Sequence, residues 1–202
     1  MIETRPRGNE IVEFNSGLQN TVNAYLQTFP TEGARLAQLA DNLQNPKLDL
    51  RQRSTIPQGH IAASGIILSP DNKNVLMLLH KSLGLWVVPG GHYDLTDNIP
   101  ENAALRESHE ETGYNALSVH PWHREHGIPL DIDTHFIPEN PKRGEGAHVH
   151  YDFRYVLQLA STDNVAIDPA ESLGYKWIPI EDIDPKASIA PAIAKLPLVT
   201  HR

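Results

Sequence analysis

Residues 90–114 read GGHYDLTDNIPENAALRESHEETGY, and the reading of this stretch decides the fold. A glycine pair, an arginine and three clustered glutamates fall within one loop-to-helix transition. From Pro100 the pattern turns helical, with Ala103, Ala104 and Leu105 as good formers, and a helix places Glu107, Glu110 and Glu111 at i, i+3 and i+4 on one face. Like charges at that spacing repel by roughly a few tenths of a kcal/mol each. Gly113 predicts the helix stop, where the dipole disfavours Glu110 and Glu111 by a further ~0.3–1 kcal/mol apiece. A bound hard cation removes the conflict. Mg²⁺ fits by its preference for carboxylate, water and phosphate oxygens, with Mn²⁺ as the alternative.

Working outward, Trp86, Val87 and Val88 make a short strand running straight into Pro89 and the glycine pair, so the order is strand, glycine turn, helix. Upstream, the apolar run IAASGIIL at 61–68, a turn at Pro70, Asp71 and Asn72, and a second run at 75–79 predict a hairpin. Downstream, residues 130–137 and 149–159 alternate as strands around the loop PENPKRGEGA, and residues 175–178 close the strand set. Residues 1–50 predict a helical extension, with Val22, Tyr25, Leu26 and Phe29 on one apolar face and Leu36, Leu39, Ala40 and Leu43 on a second. Thr31 is the expected N-cap between them. The extension reads as a cap or a dimer contact, the latter implying a homodimer; residues 45–58 read as a linker to a domain over 58–202.

The 202 residues suit one domain with an appendage. A net charge of −8 argues against nucleic acid or an anionic membrane as partner. The chain has no cysteine, which removes disulfides, thiolate zinc sites and thiol nucleophiles. The N-terminus lacks an apolar h-region, and no apolar run is long enough to span a bilayer, so the expectation is a soluble cytoplasmic protein.

The central stretch resembles a Nudix box: glycine, five residues, glutamate, seven residues, then Arg-Glu-apolar-any-Glu-Glu-any-Gly-apolar. Its second half matches as Arg106-Glu107-Ser108-His109-Glu110-Glu111-Thr112-Gly113-Tyr114, flanked by WVVPGG before the helix and YKWIPIEDI near the end. The resemblance covers about residues 60–185. It departs in two places. One residue is inserted between Gly91 and Arg106, so that Asn98 falls where the first glutamate belongs, with Asp97 as its expected replacement. Ser108 takes an aliphatic position and is expected to pack as a small residue against the sheet. The shifted phase also makes Asn98 a candidate N-cap, with Glu101 completing a capping box.

The resemblance implies an α/β fold, an α/β/α sandwich with a mixed β-sheet, and hydrolysis of a phosphoanhydride bond in a nucleoside diphosphate linked to another group, with a small nucleotide-type molecule as substrate. Carried over by position, Glu107, Glu110 and Glu111 would hold the metal, one of them acting as base, with the carbonyl at Gly91 or its neighbour as a further ligand. Arg106 would orient the glutamates by paired hydrogen bonds. The inserted residue and missing glutamate also suit a nucleotide-binding module without turnover. The isomerase branch of the fold is disfavoured by the absence of cysteine.

Outside the box, His148, His150, Asp152 and Arg154 share one strand face and Val149, Tyr151, Phe153 and Tyr155 the other. Asp131, Asp133 and His135 form a matching stripe on the preceding strand, and antiparallel pairing would set the two side by side. This surface reads either as substrate cleft, with Asp152 or Glu145 as the acid recruited from outside the box and His148 and His150 toward substrate, or as an ordinary solvent face. A histidine zinc site, to which His120, His123 and His126 also draw attention, is a third reading. His92 either reaches a phosphate or shapes the turn, and Trp86 either stacks on a base or packs in the core.

Overall fold

In the computed structural model, which describes residues 8–53, 57–141, 144, 146–159 and 165–200, the chain opens with helices α1 (Gly8–Thr28) and α2 (Gly33–Leu43) around a tight turn at Pro30–Glu32. Leu18, Val22 and Tyr25 of α1 and Leu36, Leu39 and Leu43 of α2 are buried, the three-to-four spacing of one apolar stripe per helix. Thr31 does not cap α2. It lies inside the turn, and Glu32, which accepts from the Tyr25 hydroxyl and pairs with Arg35, precedes the helix. The first part of the segment expected as a linker packs against α1. Leu50 is fully buried, Asn15 donates to the Leu48 carbonyl at 3.0 Å, and Asp49 takes both Nε and Nη2 of Arg51 at 2.7 and 3.0 Å.

The remaining elements are β1 (His60–Leu68), β2 (Asn74–His80), β3 (Trp86–Val87), β4 (Gly90–His92), α3 (Pro100–Thr112), β5 (Leu117–Val119), α4 (Pro121–His126), β6 (Asp131–Ile137), β7 (His148–Leu159), β8 (Ser172–Pro179), α5 (Ala190–Ile193) and α6 (Pro197–Thr200). The strands form one sheet in the order β3-β2-β1-β7-β5, with β4 also on β1, β6 on β7 and β8 on β2. This is the mixed-sheet α/β architecture expected. The described residues fall into two compact units, one within 1–61 and 134–151, the other within 62–133 and 152–202.

β1 is buried along its length, as its near-continuous apolar run requires. It carries the box by two close contacts. Antiparallel register sets Ala63 opposite Gly91 and Ser64 opposite Gly90. Gly65 lies so near α3 that a Cβ there would stand 2.2 Å from Ser108 Oγ and 2.6 Å from Leu157 Cδ1. Ser108 is fully buried at that contact, so a small residue is what lets the helix approach the sheet.

The two polar stripes do meet, but under cover. Arg154 donates to Asp152 at 2.8 Å, Asp133 at 2.9 Å and Asp131 at 3.2 Å, and Lys195 adds a bond to Asp131 at 2.7 Å. All three aspartates and Arg154 are buried, so this part of the strand is no solvent face.

Candidate active site

The inserted residue is absorbed before the helix starts. Asp94 accepts from Thr96 N at 2.8 Å while Asp97 Oδ2 accepts from Asp94 N at 2.8 Å, a capping box one turn upstream of the expected one. Asn98 is not the N-cap. It turns the chain at φ +61, a conformation asparagine tolerates better than most residues, and α3 begins after Ile99 with Pro100 in its first turn and no side-chain cap. Glu101 therefore completes no box with Asn98.

Arg106 ties the loop to the helix. Its Nε and Nη2 grip Asp97 at 2.9 and 3.0 Å, Nη1 reaches Glu107 at 2.9 Å and Glu110 at 3.0 Å, and Nη2 also donates to the His92 carbonyl at 2.9 Å. Asp97 thus occupies the acid position that the box lacks at Asn98. The His92 carbonyl is committed to Arg106, and Gly91 pairs with Ala63 of β1. Gly91 is needed sterically as well, because a Cβ there would lie 2.5 Å from the Glu107 carboxylate carbon.

The carboxylates are crowded. Burial raises the proton affinity of Glu107 above the ordinary value even though Arg106 opposes the shift. Glu111 is pushed up to about 8, first by burial and then by the charges of Glu171 and Glu107, with a backbone hydrogen bond from Gly90 opposing. Glu110 is the outlying member, its side chain 59% exposed beside Arg106.

Glu171 is the acid that sequence reasoning missed. The segment before β8 is fastened to the end of α3, Ala166 N to the Thr112 carbonyl at 2.8 Å and Asp168 N to the Glu111 carbonyl at 3.4 Å, and this brings the Glu171 carboxyl near enough for its charge to raise the Glu111 pKa. Gly113 closes the helix at φ +67 with Ala166 against it. Asp152 and Glu145 are the two acids expected from outside the box. Asp152 accepts from Ser64 Oγ at 2.8 Å and from Arg154, and Glu145 lies outside the described residues. Trp86 is 37% exposed with Lys176 Nζ 4.1 Å above its ring, so it is not a core residue. His148 and His150 belong to the first unit and face each other across their Nε2 atoms. His123 serves the fold, bonded to the Ile128 carbonyl and to Val156 N.

A sequence model of the NUDIX domain matches residues 59–196. The chain belongs to the Nudix family. The "Probable DHNTP pyrophosphohydrolase" of Lactococcus lactis subsp. cremoris (strain MG1363) is 30% identical over 125 residues, 62% of this chain and 69% of that protein. The "Putative 8-oxo-dGTP diphosphatase" of Bacillus subtilis (strain 168) is 41% identical over 113 residues, 56% of this chain; the match spans 62% of that relative's length. Among solved structures, a C. elegans Ap4A hydrolase binary complex is 22% identical with a TM-score of 0.50, covering 68% of this chain and 95% of that one. It supports the fold alone. Membership makes the chain a Nudix hydrolase, an enzyme of pyrophosphate bonds in nucleotides in a family that generally uses divalent metal ions. Among the described residues no helix is long and apolar enough to cross a membrane.

Proposed function

We propose that the chain hydrolyses the triphosphate of a purine-like nucleotide, with Mg²⁺ held by Glu107, Glu110, Glu111 and the Gly91 carbonyl and with Glu171 as the acid from outside the box. The crowding of Glu107, Glu111 and Glu171 carries this reading, since carboxylates that repel one another, Glu111 buried, Glu107 half-buried and Glu171 exposed, fit a hard cation with oxygen ligands. When bound, such a cation lowers the pKa of a bound water and offsets charge on phosphate oxygens. The chain's own part is positional. Arg106 holds Glu107 and Glu110 on one side of the glycine loop and the His92 carbonyl on the other. Water attacks phosphorus, the phosphoanhydride P–O bond breaks, and a carboxylate oxygen of Glu111, deepest of the three, takes the proton. The His92 side chain, next to that loop, is assigned to the substrate phosphates.

The names of the two curated relatives support a bicyclic base carrying a triphosphate. The test is Mg²⁺-dependent release of pyrophosphate from dihydroneopterin triphosphate, 8-oxo-dGTP and dGTP. Glu111→Gln is expected to lower kcat at least ~100-fold, the loss of a metal-based contribution of several kcal/mol. Tight binding without product in the wild type would favour the binding-module alternative, and unchanged turnover in the variant would overturn the assignment of Glu111.

A further inference from the structure

Within the unit formed by residues 1–61 and 134–151, histidines from three strands gather. His60 begins β1, His135 lies in β6, and His148 and His150 share one face of β7. The His60 ring centroid is 4.8 Å from that of His148 and 4.5 Å from that of His150, and the last two are 5.0 Å apart; His135 packs edge-on to His150 at 5.4 Å. The backbone is drawn tight at this point. Gly59, at φ +93, passes so close to Val149 that a Cβ would stand 2.4 Å from its carbonyl oxygen. That approach sets His60 beside the β7 pair.

The nitrogens have the disposition of ligands. His148 Nδ1 donates to the Gly146 carbonyl at 2.8 Å, which leaves its Nε2 with the lone pair, and that Nε2 faces His150 Nε2 at 3.1 Å. Two imidazoles on one tetrahedral ion at bond lengths of about 2.0–2.1 Å have nitrogens roughly 3.3 Å apart. A ring nitrogen of His60 lies within 4.8 Å of one on His150, a gap that small rotations of the rings close around a shared ion. An imidazole held through its second nitrogen by a carbonyl is the ordinary arrangement of a metal-bound histidine.

We propose that His60, His148 and His150 form a binding site for a borderline transition-metal ion of the Zn²⁺ type. Imidazole donors select such ions, whereas the oxygen donors of Glu107, Glu110 and Glu111 select Mg²⁺. Burial supports the set by keeping His60 neutral, its pKa lowered to about 4 by desolvation and then by the nearby His148 and Arg53. The ion would clamp the start of β1 to the start of β7.

The test is a titration of chelator-stripped protein with Co²⁺ as the spectroscopic probe, followed by competition with Zn²⁺. One equivalent is expected to give the visible absorption of four-coordinate Co²⁺ and to be displaced by Zn²⁺. His150 is only half-buried, so His150→Gln is expected to fold, checked by circular dichroism, while weakening the ion more than ~100-fold, beyond the loss caused by an outer partner alone. Glu111→Gln should leave the absorption unchanged. Absence of the band in wild type, its persistence in His150→Gln, or its loss in a folded Glu111→Gln overturns the proposal, the last because the ion would then sit in the box.

Discussion

Arg106 meets Asp97 in a two-bond fork, Nε to Oδ1 at 2.9 Å and Nη2 to Oδ2 at 3.0 Å, across nine residues that include the insertion. The remaining donors of the same guanidinium hold Glu107, Glu110 and the His92 carbonyl. Removing Asp97 therefore loosens the glycine loop and frees Arg106 to collapse onto the glutamates. Asp97→Ala is expected to lower kcat roughly 10–100-fold and stability by about 2 kcal/mol, the loss of charge-assisted bonds to a buried carboxylate. Steady-state kinetics and urea unfolding read the two effects. Full activity in the variant would show that the fork is dispensable.

Glu171 lies outside the box, yet its charge reaches Glu111. If it completes the cation site, Glu171→Gln removes one charged oxygen ligand while leaving the helix intact. The apparent Mg²⁺ requirement is expected to rise about tenfold or more, with a smaller fall in kcat at saturating Mg²⁺, a change of roughly 1.4 kcal/mol in metal binding. Activity measured across an Mg²⁺ series separates the two. Asp152→Asn is the contrast, expected to act on stability because its partners are Ser64 and Arg154.

How much of this was legible in the sequence follows from the range of the forces involved. The helix of the box, its C-terminal stop at Gly113 and the placing of Glu107, Glu110 and Glu111 on one face are local, fixed by spacing within a few turns. The clamp on Asp97 was half legible, since counting from Gly91 found the residue but the capping box of Asp94 and Asp97 depends on a loop geometry that counting does not give. Asn98 misled because residue type alone suits both a cap and a positive φ. Glu171 was invisible: its placement rests on backbone bonds from Ala166 and Asp168 to the end of α3, contacts between segments more than fifty residues apart. The stripe of Asp131, Asp133, Asp152 and Arg154 was readable as a period of two, but whether it faces water or core depends on what covers it.

Arg154 balances three buried aspartates from the interior of its unit. Replacing it with methionine keeps the bulk of the side chain and abandons the charges. Arg154→Met is expected to cost about 3–5 kcal/mol, since removing one partner leaves uncompensated buried carboxylates. Denaturant unfolding at pH 7.5 measures it. A second substitution, Asp133→Asn in the same background, should restore part of the loss, and strict additivity of the two would argue against a shared network.

His123 provides the pH dependence. Its Nδ1–H donates to the Ile128 carbonyl at 2.8 Å and its Nε2 accepts from Val156 N–H at 2.8 Å, so the folded protein uses the neutral ring. Burial is the main reason its pKa falls from 6.5 to about 4, with the charges of His120 and His126 adding to it and the Ile128 bond opposing; the Trp122 and Tyr155 rings that flank it carry no charge. Because the folded value is depressed, the unfolded chain binds the proton first. Stability is fully present above about pH 6.5 and is lost as pH falls toward 4, by on the order of 3 kcal/mol from this group. His60, lowered in the same direction, adds to the slope. Urea unfolding at pH 7.5, 6 and 5 is expected to show the decline, and His123→Gln, less stable at pH 7.5, should show a shallower one. An undiminished slope in that variant would mean that the proton is taken up elsewhere.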